Sequence, residues 1–222
     1  MSNYPLATST WDKEELEAIQ SVIDSDKFTM GQFVKTFENN FGKFINRKYC
    51  VMVSSGSAAN LLSIASLFYL KKPLLKTGDE VIVPAVSWST TYFPLQQFGL
   101  KLKFVDIDLN TLNYDLNKIK NIIENKNIFI FEDNCESLGA EYKNKQAGTF
   151  GLIGTFSTYF SHHISTMEGG FVTTDNEELY HILLSIRAHG WTRNLPKKNL
   201  VANKSDNWFE ESFRFILPGY NV

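Results

Sequence analysis

Cysteine is scarce in this 222-residue chain, which has only Cys50 and Cys135. Two are too few for a disulfide framework or an all-cysteine metal site. Long hydrophobic runs are missing too, so no segment has the length that spans a bilayer, and no stretch of signal-peptide shape precedes the first helix. Charge of one sign is not in excess: 22 basic residues stand against 24 acidic ones, and the lysines and arginines are scattered rather than striped. That distribution argues against nucleic acid as a partner. The sequence has no internal repeat and no low-complexity segment. A reduced, cytoplasmic globular protein is expected, with no membrane contact and no metal. The sequon Asn203-Lys204-Ser205 is then a chance match.

What the chain does have is an apolar fraction of 43%, enough at this length to bury one good-sized α/β core. Thr10 is placed to cap a helix over 11–25, with Leu16, Ile19 and Ile23 as its apolar stripe. A short strand over 50–53 runs into Ser54-Ser55-Gly56-Ser57-Ala58-Ala59-Asn60. The helix that follows, about 58–70, is apolar on nearly every face and so deeply buried. After Thr77-Gly78 come strands over 81–83 and 102–107, one helix length apart, which is the rhythm of a parallel sheet. Ile128-Phe129-Ile130-Phe131 reads as a continuous buried strand, followed by strands over 155–160 and 171–174. Asp175 with Glu178 makes a capping box for a helix through Ala188, striped by Leu179, Ile182, Leu183 and Ile186 and ended by Gly190. From Trp191 onward the chain reads as irregular and polar.

Open α/β sheets gather their chemistry at the carboxyl ends of strands, and four strand ends here carry candidates. The turn at Gly56 and Ser57 exposes N–H groups at a helix N-terminus, a natural phosphate cradle. It is neither a Walker loop nor the dinucleotide fingerprint, and a plain capped turn would look the same. Trp88 could stack on a planar ligand or simply fill the core. Asp133 follows a buried strand, where a carboxylate is costly unless paired; a protonated ring nitrogen would pair it, and so would a helix N-cap. The turn after Ser157 carries His162 and His163, of which one could cap the turn and the other face solvent. His181, on a helix, and His189, at its end, read as structural. Taken together, the cradle, the aromatic plate, the buried acid and the histidine turn meet the needs of pyridoxal phosphate, whose ring nitrogen requires a carboxylate if the ring is to act as an electron sink.

In this order along the chain the motifs resemble those of the DegT/DnrJ/EryC1/StrS sugar aminotransferase family of type I pyridoxal-phosphate enzymes. Ser54-Ser55-Gly56-Ser57-Ala58 is similar to its Ser-Gly-Thr-Ala phosphate turn, and Pro84-Ala85-Val86-Ser87-Trp88 to its Pro-x-x-Thr-Phe/Trp stacking segment. Glu132-Asp133-Asn134-Cys135-Glu136 resembles its Glu-Asp-x-x-Gln/His motif. Phe156-Ser157 through Glu168-Gly169-Gly170 resembles Phe-Ser-x-x-x-x-Lys…Glu-Gly-Gly, and Gly219-Tyr220-Asn221 resembles Gly-x-Asn-x-Arg. The resemblance spans nearly the whole chain. It implies an aspartate-aminotransferase-like large domain over 1–222, with a mostly parallel mixed sheet and helices on both faces; the small C-terminal domain that the family carries would be missing. It implies pyridoxal 5′-phosphate or pyridoxamine 5′-phosphate as cofactor. Gly56, Ser57 and Ser157 would serve the phosphate, Trp88 the ring face, Asp133 the ring nitrogen and Glu136 the neighbourhood of the ring hydroxyl. Asn221 would reach the phosphate of the neighbouring subunit in a homodimer. The N-terminal helix and Phe28-Thr29-Met30-Gly31 would help line the site.

The departure from the family pattern is the informative part. Where the family carries the lysine that holds the cofactor covalently, this chain has His162, and no lysine occurs between Lys145 and Lys197. Without that amine the proton shuttle of a transaminase is unavailable, whereas an imidazole, which titrates near neutral pH, suits a general base. His163 aligns with a non-catalytic position. A lysine-to-histidine exchange is the hallmark of the family's sugar 3-dehydratases. It implies L-glutamate as amino donor and a nucleotide-linked 4-keto-6-deoxyhexose as substrate, first GDP-4-keto-6-deoxy-D-mannose, which would lose its C3 hydroxyl on the way to a colitose-type dideoxysugar of lipopolysaccharide. The CDP-linked alternative has an iron–sulfur cluster needing a Cys-x-Cys pattern downstream of the histidine. Here that region is Trp191-Thr192-Arg193-Asn194-Leu195-Pro196, and Cys135 alone holds no cluster.

One stretch is shorter than the family pattern. Between Tyr114 and Asn127 the family has a further strand and helix, whereas here Leu116-Asn117-Lys118-Ile119-Lys120-Asn121-Ile122-Ile123 runs almost directly into the strand at Ile128. A strand lost from inside a parallel sheet leaves N–H and C=O groups of its neighbours unpaired. The chain by itself is therefore expected to fold poorly and to turn over little or no substrate. A non-catalytic nucleotide-sugar binding module, in which His162 would be dispensable, is the expectation from another class.

Overall fold

The computed structural model describes residues 4–5, 7–124 and 126–222, the side chains of Leu116 and Asn121 excepted. Helix α1 (Lys13–Asp24) starts at Asp12, whose carboxylate accepts from Glu14 N while Glu15 reaches back to the Asp12 N–H. The cap is thus Asp12 and not Thr10, because a reciprocal box satisfies two helix-end donors at once. The expected stripe of α1 stays open, with Leu16 and Ile23 exposed. Helix α2 (Gln32–Phe44) buries Phe41 instead. Strand β1 (Tyr49–Val53) leads into α3 (Gly56–Tyr69), which is capped by Ser55 and buried along most of its length, as its all-round apolar face requires. There follow β2 (Glu80–Pro84), α4 (Ser89–Gln97), β3 (Lys101–Val105), α5 (Leu116–Ile123) and β4 (Phe131–Asp133). A small hairpin, β5 (Glu141–Tyr142) and β6 (Lys145–Gln146), precedes β7 (Ile153–Ser157), β8 (Gly170–Thr174), α6 (Glu177–Ile186) and α7 (Trp208–Phe213).

The main sheet has the order β1-β8-β7-β4, with β8 antiparallel to both neighbours and β4 parallel to β7. Side chains alternate between its faces, as the period of two demands. Val51, Val53, Ile153 and Val172 pack with Leu62 of α3 and with Leu179, Ile182, Leu183 and Ile186 of α6, all within one core. Cys50, Phe156 and Phe171 point the other way and pack on Phe41 of α2. Phe156 stacks on Phe171 with ring centres 4.9 Å apart, and Phe41 meets Phe171 edge-on at 4.1 Å. Each such large side chain, fully buried, contributes about 1.5–3 kcal/mol. The result is a mixed sheet with helices on both faces, as expected. No helix among the described residues is long and apolar enough to cross a membrane.

The sheet, however, is in two pieces. Strands β2 and β3 pair in parallel with each other and form a separate two-stranded sheet. Ile128, Phe129 and Ile130 are not strand and not buried; β4 begins only at Phe131. Among the described residues β4 has no strand on its side away from β7, so no sheet neighbour covers these apolar side chains. The capping box expected for α6 also fails. Asn176, not Asp175, caps α6, accepting from Leu179 N at 3.0 Å. Asp175 is taken instead by Arg47 at 2.7 Å and by Lys48 N at 2.9 Å. Glu178, the other half of the expected box, accepts from Lys71 N at 2.6 Å. The segment after Trp191 is mostly irregular, as expected, but it includes α7, and bridges Trp191–Phe215 and Ala188–Asn221 bring it back to the end of α6.

Candidate cofactor site

Backbone approach builds this site. A Cβ on Gly56 would lie 2.7 Å from both Cys135 Sγ and Ser157 Cβ, so only glycine lets the first turn of α3 sit against the ends of β4 and β7. In that turn Ala58 N is satisfied by Ser55 Oγ at 3.0 Å and Ala59 N by Ser55 O at 2.9 Å. The N–H groups of Gly56 and Ser57 have no acceptor among the described hydrogen bonds, the ordinary condition of a helix N-terminus open to an anion. Hydroxyls surround them: Ser57 Oγ donates to Thr90 Oγ1 at 3.1 Å, and Ser157, buried at the end of β7, lies against Gly56.

Asp133 ends β4 and faces the same turn. Its Oδ2 accepts from Asn60 Nδ2 at 2.9 Å and from Thr91 Oγ1 at 2.8 Å, and its Oδ1 from Cys135 N at 3.3 Å. Asn60 is buried on α3 and is itself fixed by Thr155 Oγ1, which donates to Asn60 Oδ1 at 2.7 Å. The carboxylate thus has N–H and O–H donors but no cation within ion-pair distance among the described residues. Burial, followed by the negative charge of Asp133, pushes the Cys135 thiol well up, so it stays neutral beside the acid. Glu132 turns away and anchors the neighbouring loop, accepting from Gly148 N at 2.8 Å and Gly151 N at 2.6 Å.

The histidine turn leaves β7 at Ser157 and returns to β8 at Gly170. It is closed by Thr158 N donating to Gly169 O at 2.9 Å, Thr166 N donating to Thr158 O at 2.8 Å, and the two threonine hydroxyls 2.7 Å apart. Trp11 holds it from outside, its Nε1 donating to Ser165 Oγ at 3.1 Å and Ser165 O at 3.2 Å. The side chain of His162 is only 13% exposed. Its Nδ1 lies 3.4 Å from Glu136 Oε1, close enough for an ion pair but not aligned for a hydrogen bond, and it has no other partner. His162 also borders an open cleft of about 420 Å³ with Tyr4, Thr8 and Phe160. His163 is exposed. His181 is buried with Nδ1 accepting from Leu200 N at 3.2 Å, and His189 packs edge-on against Trp191, the structural roles expected of both.

Of the candidates, Gly56, Ser57, Asp133 and Ser157 come together through these contacts, while Glu136 and His162 meet each other. Trp88 stands at the N-cap of α4, next to the Thr90–Thr91 pair, with 75% of its surface exposed and its ring free of described contacts. Asn221 is exposed in its bridge to Ala188, away from the cluster's hydrogen bonds. Phe28 is exposed, whereas the N-terminal segment touches the site through Trp11. Asn60, Thr90, Thr91, Thr158 and Thr166 were not singled out from sequence. The signal for Asn60 was legible, since a buried asparagine on an otherwise apolar helix must find polar partners.

The donor set fits pyridoxal phosphate. Amides and hydroxyls gather at one end, a cation-free carboxylate lies beyond them, and the imidazole nitrogen is unpartnered. No cluster of three or more metal-binding side chains exists among the described residues. A family model, "DegT/DnrJ/EryC1/StrS aminotransferase family", matches residues 9–127 and 114–222. The chain belongs to this family. Within it, the chain is 61% identical over 249 aligned positions to the GDP-4-keto-6-deoxy-D-mannose 3-dehydratase of Escherichia coli O55:H7, covering all of this chain and 64% of that one. A crystal structure of a GDP-4-keto-6-deoxymannose-3-dehydratase mutant with bound GDP-perosamine superposes with a TM-score of 0.95 at 61% identity, over 99% of this chain and 64% of the other. Another structure of such an enzyme, with a trapped PLP-glutamate geminal diamine, gives 0.94 at 60% identity over the same shares. The chain therefore spans about 64% of the length of these family members.

Proposed function

We propose that this chain serves the 3-dehydration of a nucleotide-linked 4-keto-6-deoxyhexose, GDP-4-keto-6-deoxy-D-mannose, with pyridoxal or pyridoxamine phosphate as cofactor and L-glutamate as amino donor. The observation that carries this is His162 at the head of the turn after β7, in a family whose aminotransferases carry lysine there. The bound cofactor supplies an electron sink and an exchangeable amino group. The chain's own residues do the rest. The amides of Gly56 and Ser57, with the hydroxyls of Ser57 and Ser157, hold the phosphate. Asp133 keeps a proton on the ring nitrogen, and Asn60 and Thr91 keep Asp133 in place. Trp88 covers one ring face, and Glu136 stands beside the ring hydroxyl. His162 would take a proton from the carbon that bears the amino group and return it to the departing C3 hydroxyl of the sugar, which would leave as water. Asn221 acts from the neighbouring subunit of a homodimer. The setting is cytoplasmic assembly of a colitose-type sugar for lipopolysaccharide, and the GDP-perosamine and PLP-glutamate complexes of relatives support the ligand classes.

Two variants test this. His162→Lys is expected to attach the cofactor covalently, so that borohydride treatment leaves a stable mass increase absent from the unsubstituted chain. His162→Asn is expected to keep cofactor binding and lose formation of the 4-keto-3,6-dideoxy product. Failure of the unsubstituted chain to bind the cofactor would refute the proposal. A chain that holds cofactor and sugar nucleotide without turning them over is the alternative, favoured by the break in the sheet beside Asp133. Cofactor binding with no product in any variant would decide for it.

A further inference from the structure

A buried asparagine stands between the main sheet and the carboxylate of Asp133. Asn60, on α3, is 2% exposed and Thr155, on β7, is fully buried, so neither side chain is surface that a ligand could touch. The surroundings fix which way the Asn60 amide is turned. On one side lie two acceptors: Nδ2 donates to Asp133 Oδ2 at 2.9 Å and to Thr90 O at 3.3 Å. On the other side the Thr155 hydroxyl donates to Asn60 Oδ1 at 2.7 Å. The reversed amide would set its oxygen against a carboxylate and a carbonyl, so only this orientation satisfies every group. Thr91 Oγ1 donates to the same carboxylate oxygen at 2.8 Å. Asp133 Oδ2 therefore carries two short hydrogen bonds, whereas Oδ1 has only the Cys135 N–H at 3.3 Å.

Donors on a carboxylate favour its charged form. Where the carboxylate faces a ring nitrogen, they favour the ion pair, with the proton on nitrogen, over the neutral pair, with the proton on oxygen. Donors already fixed in place need no rearrangement when the ligand arrives. We propose that Asn60 and Thr155 are positioning residues for the cofactor. By engaging Oδ2 of Asp133 they leave Oδ1 to the ring nitrogen and keep the proton on that nitrogen. This role rests on the reading of Asp133 as the ring nitrogen's partner. It runs from β7 through α3 to the end of β4, so the protonation of the ring depends on two side chains that never meet it.

The probe is pyridoxamine phosphate labelled with nitrogen-15 in its ring, titrated into the full 222-residue chain. Asn60→Leu keeps the branched shape and removes the donor. It is expected to weaken binding about tenfold, the loss of one hydrogen bond to a charged group. The ring-nitrogen resonance should move from its protonated toward its unprotonated position. Asn60→Leu also strands the Thr155 hydroxyl, so its melting midpoint falls. In Asn60→Leu/Thr155→Val both partners are apolar, which is expected to recover most of the melting midpoint but neither the affinity nor the resonance. Thr155→Ser keeps the hydroxyl and should match the unsubstituted chain in both. A double variant with unsubstituted affinity and resonance would overturn the proposal, because the pair would then serve the fold alone. Asp133→Asn separates this outcome from failure of the underlying reading. If Asp133→Asn alters affinity and resonance while the Asn60 and Thr155 variants do not, only the role of the pair falls. If Asp133→Asn also leaves them unchanged, or the unsubstituted chain takes up no cofactor, the reading of Asp133 falls and the role of the pair with it.

Discussion

Replacing Asp133 by Asn separates the carboxylate's structural duty from its service to a ligand. The side chain accepts two short hydrogen bonds at Oδ2, from Asn60 and Thr91, and one long one at Oδ1, from Cys135 N at 3.3 Å. Asparagine with its oxygen in the Oδ2 place keeps both short bonds and turns its NH2 toward the Cys135 N–H. The loss to the fold is then one weak hydrogen bond, about 1 kcal/mol, which moves the melting midpoint of a chain this size by about 2–4 °C. The loss to a protonated ring nitrogen is larger. A hydrogen bond to a charged partner contributes about 1.5–3 kcal/mol, so the dissociation constant of pyridoxal phosphate should rise about ten- to 150-fold. Titration of the chain with the cofactor, followed by tryptophan fluorescence or cofactor absorbance, measures this directly. Unchanged affinity in a folded Asp133→Asn protein would refute the assignment, because no cation among the described residues pairs with the carboxylate.

Two further predictions concern the scaffold. Glu38 and Arg187 form a buried pair at 2.6 Å, with side chains 11% and 7% exposed, and Glu38 also accepts from Met52 N. Glu38→Ala strands a buried guanidinium and should cost about 3–5 kcal/mol, or roughly 6–20 °C in melting midpoint, with Glu38→Ala/Arg187→Met recovering most of it; equal losses in the single and double variants would sink this. Burial lowers the affinity of His181 for a proton, against the opposing charge of Glu177. A depressed folded-state value means stability that is present above the ordinary histidine value of about 6.5 and lost as pH falls below it. Melting midpoints from pH 7.5 to 5 should therefore fall more steeply in the unsubstituted chain than in His181→Gln, and parallel slopes would contradict the assignment.

Much of this molecule could be read locally. The α6 stripe, the buried α3 and the strands on either side of the histidine turn follow from apolar periodicity, because a side chain's face is set by its position along a helix or strand. The motif order placed Gly56, Asp133, Ser157 and His162 in one neighbourhood before any contact was known. Capping residues were legible only to within a position or two: Asp12 and Asn176 won over Thr10 and Asp175, and the reason for Asp175 is Arg47, 128 residues away in sequence. No local pattern announces such a partner.

The sequence by itself determined the chemistry on offer: a histidine where a covalent lysine would stand, an acid after a strand, and a glycine turn before a buried helix. Residue type and order decide those. Tertiary structure alone decided which groups are satisfied and which are left over. It tied Asp133 to Asn60 and Thr91, left His162 Nδ1 beside Glu136 without a hydrogen bond, and split the sheet between β2 and β4. Ile128-Phe129-Ile130 has every local mark of a buried strand, yet a strand is completed by the hydrogen bonds and packing of its neighbours. With no strand on its outer side among the described residues, that apolar run stays exposed and the regular ladder starts only at Phe131.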